Sequence, residues 1–302
     1  MKKELVPLRI AGVPEHFNLP WMLALERRAF VRAGVELIWN TVPEGTGRMC
    51  AMLRNGEVDL AVLVTEGAVR DILNGAPHRI VANYVQTPLT WGAHVGAHTA
   101  ITKAEELKQV PFAISRINSG SHLASMAYAH ANGWTPAASD LIVVNDLAGA
   151  AERLKGSDPI AFLWEKYTTK HLVDAGSLRR VDEHRSQWPS FVIVATEAAL
   201  AEHPKEIARV LKVIRDQAAG LMQKKTAPEM IAQRYKISVE DAREWFADVR
   251  WSNDGVFDSA ALRAVCESLD QAGILERELV RNAEQVLLGI AGSSHAIDRG
   301  RS

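Results

Sequence analysis

The chain has 302 residues, 47% of them hydrophobic and 24% charged, with a formal net charge of −1. That length is enough for two lobes with a core each, and the near-neutral charge leaves no footprint for nucleic acid. No run approaches the ~20 apolar residues of a membrane-spanning helix.

In chain order, Leu8 to Val13 reads as a strand that ends in Pro14-Glu15-His16-Phe17-Asn18. Leu19 to Ala33 predicts one helix, with Met22, Leu23, Ala29 and Phe30 on one side and Gly34 as its stop. Val35 to Trp39 is the next strand, and Pro43-Glu44-Gly45-Thr46-Gly47 turns into a helix over Arg48 to Asn55. The strand Leu60 to Val64 follows, then Thr65-Glu66-Gly67, a helix from Ala68 to Asn74 and a strand from His78 to Tyr84. This alternation predicts an α/β fold whose mainly parallel sheet has helices on both faces.

From Leu89 to His94 the chain becomes an extended crossing segment, and a second alternation begins. Its units are Val110–Ile114, a helix after Ser121, Ile142–Val144, a helix through Leu154, Ile160–Leu163 and a helix ending at Ala175. Phe191–Ala195 reads as the crossing back. The expected lobes are therefore residues 1–90 with 195–302, and residues 91–194. The remainder reads as helices over Glu197–Glu202, Pro204–Gln223, Ala227–Tyr235, Val239–Val249, Ser259–Ala272 and Glu276–Leu288, with a polar tail after Gly292.

The strand-end turns carry the candidate chemistry. After Ile114, the run from Ser115 and Arg116 to Ser119, Gly120, Ser121 and His122 caps a helix. Such a turn points free N–H groups at one spot, and Arg116 would add a forked donor for an anion or carbonyl oxygen. The bland alternative is an ordinary turn with a serine N-cap. Glu15, His16, Phe17, Thr46, Glu66, Trp164, Glu165 and Trp188 complete the set. Open α/β sheets bind ligands outside the carboxyl ends of their strands, here across a cleft. Carboxylates between indole faces suit a small, flat, polar ligand bearing N–H donors or a positive charge. Glu66 and Glu165 precede helices, where the helix dipole alone would favour them.

Neither the P-loop nor the dinucleotide spacing is present, nor a Gly-x-Ser-x-Gly elbow or a His-Glu-x-x-His motif, and the histidines lack metal spacing. No cofactor and no metal are expected. Cys50 and Cys266 form no metal or redox spacing and read as buried thiols, with Cys50 a remote candidate nucleophile.

The order of motifs resembles a known group. Pro14-Glu15-His16-Phe17, Gly45-Thr46-Gly47, Thr65-Glu66-Gly67, Tyr84-Val85 with Pro88-Leu89 and Trp91, Ser115-Arg116 with Ser119-Gly120-Ser121, Phe162-Leu163-Trp164-Glu165 with Thr168-Thr169-Lys170, and Trp188-Pro189-Ser190 are similar to periplasmic-binding-protein-like proteins. Within that family the likeness is to a fungal and bacterial subgroup without signal peptides, akin to binders of thiamine pyrimidine precursors, taurine and alkanesulfonates. The resemblance covers residues 8–195. It implies a two-lobed type II periplasmic-binding fold that closes on a ligand by a hinge.

The expected function is a solute-binding protein, ABC-transporter-like, for a nitrogen-heterocyclic or thiamine-precursor-like metabolite. The rival expectation is a lyase or pyrimidine-forming enzyme on the same fold, using His16, Glu66 or Cys50. The N-terminal stretch lacks the apolar core of a signal peptide, so the expected location is cytoplasmic, or periplasmic if an upstream signal was removed. Expected partners are a small molecule and either a transporter or a second copy in a homodimer.

Overall fold

In the computed structural model, residues 5–276 and 278–280 are described. The first sheet is built from β1 (Val6–Gly12), followed by α1 (Leu19–Glu26) and α2 (Ala29–Arg32), then β2 (Val35–Thr41), α3 (Thr46–Arg54), β3 (Leu60–Val64), α4 (Thr65–Leu73) and β4 (His78–Val85). The chain then enters a second sheet through β5 (Thr90–Gly96). There follow β6 (Phe112–Ile114), α5 (Gly120–Ala131), β7 (Leu141–Val143), α6 (Leu147–Arg153), β8 (Ala161–Glu165), α7 (Lys170–Asp174) and β9 (Leu178–Arg185). The return is β10 (Phe191–Thr196), and then come α8 (Glu197–Glu202), α9 (Pro204–Met222), α10 (Ala227–Tyr235), α11 (Val239–Asp248) and α12 (Ser259–Gln271).

The strand orders are β2-β1-β3-β10-β4 and β7-β6-β8-β5-β9. In the first sheet β10 runs against both of its neighbours, and in the second β5 does the same. The other pairings, β1 with β2 and β3, and β6 with β7 and β8, are parallel. Each sheet thus has four strands in one direction and one opposed strand, which is the strand entering from the other lobe. All six residues of β10 are buried, and a strand buried on both faces reads as the continuous apolar run Phe-Val-Ile-Val-Ala.

Three sequence expectations change. The helix predicted over Leu19–Ala33 is two helices, because Arg28 adopts a left-handed conformation at φ 54°. The crossing segment from Leu89 is itself a central strand. Finally, β9 is a strand that the sequence pattern does not announce: Leu-Arg-Arg-Val-Asp-Glu-His-Arg shows no apolar alternation, and as an edge strand it is charged, with Arg179, Arg180 and Asp182 half-buried and Glu183 and Arg185 exposed, which discourages pairing with other chains. The helix expected over Glu276–Leu288 lies mostly outside the described residues, and the tail after Gly292 lies wholly outside them.

Caps follow the sequence closely. Ser119 Oγ accepts from His122 N, Ser238 Oγ from Asp241 N, and Asp258 Oδ1 from Ala260 N, each satisfying an orphan donor of a first turn. The long helix α9 buries Ile207, Val210, Leu211, Ile214, Ala218 and Leu221 against α1 and the first sheet. α12 packs on both α4 and α5, so it spans the seam between the two sheets.

Candidate functional site

Between the two sheets lies a cavity of about 50 Å³. That is room for one or two water molecules, so the lobes are nearly shut. Turns after strands supply its walls: Glu15 after β1, Gly45 and Thr46 after β2, Ser115 after β6, and Trp164 with Glu165 at the end of β8. Gly45 at φ 82° makes the turn that begins α3, and Thr46 Oγ1 accepts from Val64 N at 3.2 Å, which fixes its side chain.

The serines form a closed set. Ser121 Oγ accepts from Ser115 N at 2.8 Å and lies 3.1 Å from the hydroxyls of both Ser115 and Ser119. Ser119 Oγ also accepts from Arg116 N at 3.3 Å. The turn is therefore an N-cap stabilised from within, and Ser115 and Ser121 reach the cavity wall while Ser119 does not line it.

Several expected contacts are placed elsewhere. The Arg116 guanidinium crosses the lobe gap and donates to the Glu44 carbonyl at 2.8 Å, because the long side chain reaches past the turn. It bridges the lobes and is not among the lining residues. Glu66 accepts from Trp188 Nε1 at 2.9 Å, and this pair belongs to a separate crevice of about 10 Å³ beneath α12. His122 Nδ1 accepts from Asn118 N at 3.0 Å and stays within the cap. Phe17 is core: its carbonyl accepts from Tyr84 and Trp251, and its ring packs on Phe191 and Trp245.

His16 sits just behind the cavity, stacked on Phe17 and set edge-on to Trp245. Its Nε2 is buried without a hydrogen-bond partner among the described residues and lies 4.0 Å from Glu165 Oε1. Residues the sequence reasoning did not assign to the site also line it, among them Glu44, Met49, Leu89, Trp91 and Phe191. Glu44 had a usable signal, since it adjoins Gly45-Thr46. Trp91 faces Gly120, where an added Cβ would come 3.2 Å from the indole, so the ring and the cap turn fit closely.

Residues 91–184 match the family model described as Ca3427-like PBP. Over 94% of this chain and 96% of the other, the structure is similar to the CA3427 gene product of Candida albicans, at 25% identity and a TM-score of 0.87. That protein is described as defining a family with the generic periplasmic binding protein fold. The alkanesulfonate-binding protein SsuA of Xanthomonas axonopodis pv. citri, bound to MOPS, aligns with a TM-score of 0.74 at 16% identity, over 93% of this chain and 98% of that one. The nitrate-binding protein NrtA of Synechocystis PCC 6803 aligns at 0.63 and 16%, over 94% and 89%. A comparison with curated protein sequences finds no match. The fold is that of a periplasmic binding protein.

In this periplasmic-binding-protein fold the cleft is acidic. Glu15, Glu44 and Glu165 line it, and no lysine or arginine does among the described residues. Burial, together with the neighbouring Glu165 charge, pushes the Glu15 carboxyl up to about 8. Burial also raises Glu165, against the pull of three bonds to its Oε2 from Tyr167 N, Thr168 N and Thr168 Oγ1 at 3.0, 2.7 and 2.7 Å. One Glu165 oxygen is thus held by the turn that precedes α7, while the other faces His16. Burial lowers His16 to about 3, so its ring is neutral at physiological pH. Two carboxyls driven toward neutrality by desolvation regain charge when a cation enters.

The groups expected to serve an enzyme stand differently. His16, Glu66 and Cys50 are not on the cavity wall, and burial raises the Cys50 thiol far from a reactive thiolate.

Proposed function

We propose that the protein is a solute-binding protein whose cleft captures a small, flat nitrogen heterocycle that is cationic or rich in N–H donors, of the aminopyrimidine class found in thiamine precursors. The observation that carries this reading is the pairing of Glu15 from one lobe with Glu165 from the other, in a cavity that no basic residue lines among the described residues. Related folds include binders of sulfonate and nitrate, but an anion here would find no cationic lining residue among the described residues. Trp91 and Trp164 supply indole faces for a ring or cation. Ligand entry requires the lobes to open, and they then close around it to a separation wider than in this nearly shut cleft. Delivery to a transporter, or a homodimer, belongs to the same reading.

The test is native mass spectrometry of the freshly purified protein, followed by calorimetric titration with an aminopyrimidine, an aliphatic sulfonate and nitrate. The reading expects the aminopyrimidine to bind and the two anions to fail. Tight binding of either anion, with no heat from the aminopyrimidine, overturns it.

A further inference from the structure

The Glu165 carboxylate is bonded on one side only. Oε2 takes the three donors from Tyr167 and Thr168, and Oε1 takes none among the described residues. What holds that donor turn in place is β5. Lys166 N donates to the Thr90 carbonyl at 3.0 Å and ties the start of the turn to the strand. The end of the turn is tied further along β5, where the Thr169 hydroxyl lies 2.9 Å from His94 Nε2. Tyr167 and Thr168 sit between these two anchors. Arg180 of β9 adds another, donating to the Lys166 carbonyl at 3.1 Å.

The direction of the bond between His94 and Thr169 follows from chemistry. The other ring nitrogen, Nδ1, lies 3.2 Å from the Phe162 carbonyl, which can only accept, so Nδ1 carries the hydrogen. Burial, helped by the Arg180 charge and opposed by Glu183, lowers His94 to about 4. The ring is therefore neutral at physiological pH, and Nε2 keeps its lone pair. The Thr169 hydroxyl also lies 3.2 Å from the Glu165 carbonyl and 3.1 Å from that of Lys166. It has one hydrogen, and the imidazole draws it away from the turn's own backbone.

The place is built for the ring. His94 and Thr169 are both fully buried. An added Cβ at Gly92 would come within 2.5 Å of the imidazole, so a larger residue there would displace it. An apolar side chain at this point of a central strand would need no partner. The imidazole is explained by what its two bonds reach, β8 at Phe162 and the donor turn at Thr169.

We infer that His94 is a positioning residue for the cleft: through Thr169 it holds the turn that orients Glu165 and leaves Oε1 free for the ligand. The inference rests on the reading of Glu165 as a cleft carboxylate. Donors on Oε2 favour the charged form, while Glu165 faces Glu15 and His16 from the first lobe and Arg180 from β9. Loosening the turn raises the Glu165 carboxyl further and makes it a poorer partner for a cation.

The test reads Glu165 directly, by NMR titration of the side-chain carboxyl carbons in the ligand-free full chain carrying isotope-labelled glutamate. The Glu165 signal is the one lost in Glu165→Gln. Thr169→Val should move its midpoint to higher pH, and Thr169→Ser, which keeps the hydroxyl, should titrate like the parent. The double variant of His94→Leu with Thr169→Val removes both partners of the bond. It should regain stability over the single variants while keeping the raised midpoint, and it decides the matter where a single variant fails to fold. In calorimetry with the aminopyrimidine, Thr169→Val should weaken binding roughly fivefold and release more protons per ligand at pH 7 than the parent. Failure of the aminopyrimidine to bind the parent overturns the reading of the cleft, and the carboxyl titration then decides this inference by itself. A Glu165 midpoint unchanged in Thr169→Val, or restored together with stability in the double variant, overturns it, because His94 would then be a satisfied core group and nothing more.

Discussion

Glu15 concentrates the chemistry of the cleft in one carboxyl. Its pKa in the closed protein is about 8, above the ordinary value near 4.5, so between those limits the unfolded chain ionises while the closed protein stays protonated. The unfolded state then binds fewer protons, and stability falls as pH rises through that window. Glu15→Gln removes this penalty. The variant should melt at the same temperature as the parent near pH 4 and above it at pH 8, by about 1–2 kcal/mol in stability, since opening of the lobes hydrates part of the group. Thermal melts across pH 4 to 8 check this, and a difference that shrinks with rising pH would refute it. His16 has the opposite sign: its pKa is lowered to about 3 from 6.5, so it withdraws stability as pH falls through that range. The same carboxyl governs ligand capture. A cation entering at pH 7 should expel close to one proton from Glu15, and affinity should rise toward pH 8. Titration in buffers of different ionisation enthalpy measures that proton, and Glu15→Gln should abolish its release while weakening binding about tenfold or more.

At the scale of elements, the turn from Ser115 to His122 was the part of the site most legible in the sequence. Its hydrogen bonds are local: Ser119 and Ser121 bond partners within six residues, so side-chain type and spacing specify them. Arg116 and Glu66 were not legible, because their partners, Glu44 and Trp188, are 72 and 122 residues distant. Trp91 entered the sequence reading only as part of a resemblance, since its place on the cavity wall beside Gly120 rests on a contact 29 residues distant. Strands with an apolar run, such as β3 and β10, were read to within a residue, whereas the charged edge strand β9 carried no periodic signal. The local nature of the cap yields a prediction. Ser121→Ala strips Ser115 N of its acceptor and leaves a buried donor unpaired, so it should cost about 1–3 kcal/mol. Ser119→Ala should cost about 1 kcal/mol through the lost cap. Denaturant unfolding ranks the two, and a larger loss for Ser119→Ala would contradict this account of the turn.

At the scale of the whole molecule, α11 ties the C-terminal helices to the second lobe. Asp241, Glu244 and Asp248 recur on one face of the helix and meet Lys170 at 3.8 Å, Lys166 at 3.4 Å and Arg185 at 2.8 Å; the Tyr167 hydroxyl also donates to Glu244 at 2.9 Å. The Glu244 and Asp248 pairs are exposed on at least one side, the Asp241 pair is half-buried, and each is worth only about 0–1 kcal/mol alone. Their common effect is to favour closure, because opening the lobes separates them together. Apparent affinity scales with the population of the binding-competent state, so weakening this contact taxes ligand capture without touching the cleft. Glu244→Gln combined with Asp248→Asn should therefore weaken the cleft ligand roughly three- to tenfold, chiefly through faster release. Raising salt to about 0.5 M should weaken the parent by a similar factor and the double variant far less, since the screened pairs are already gone. Small-angle scattering should show the ligand-free variant more expanded than the parent at low salt. An unchanged radius of gyration, together with identical salt dependence in the two proteins, would mean that α11 merely touches the second lobe and that closure is driven by the cleft alone.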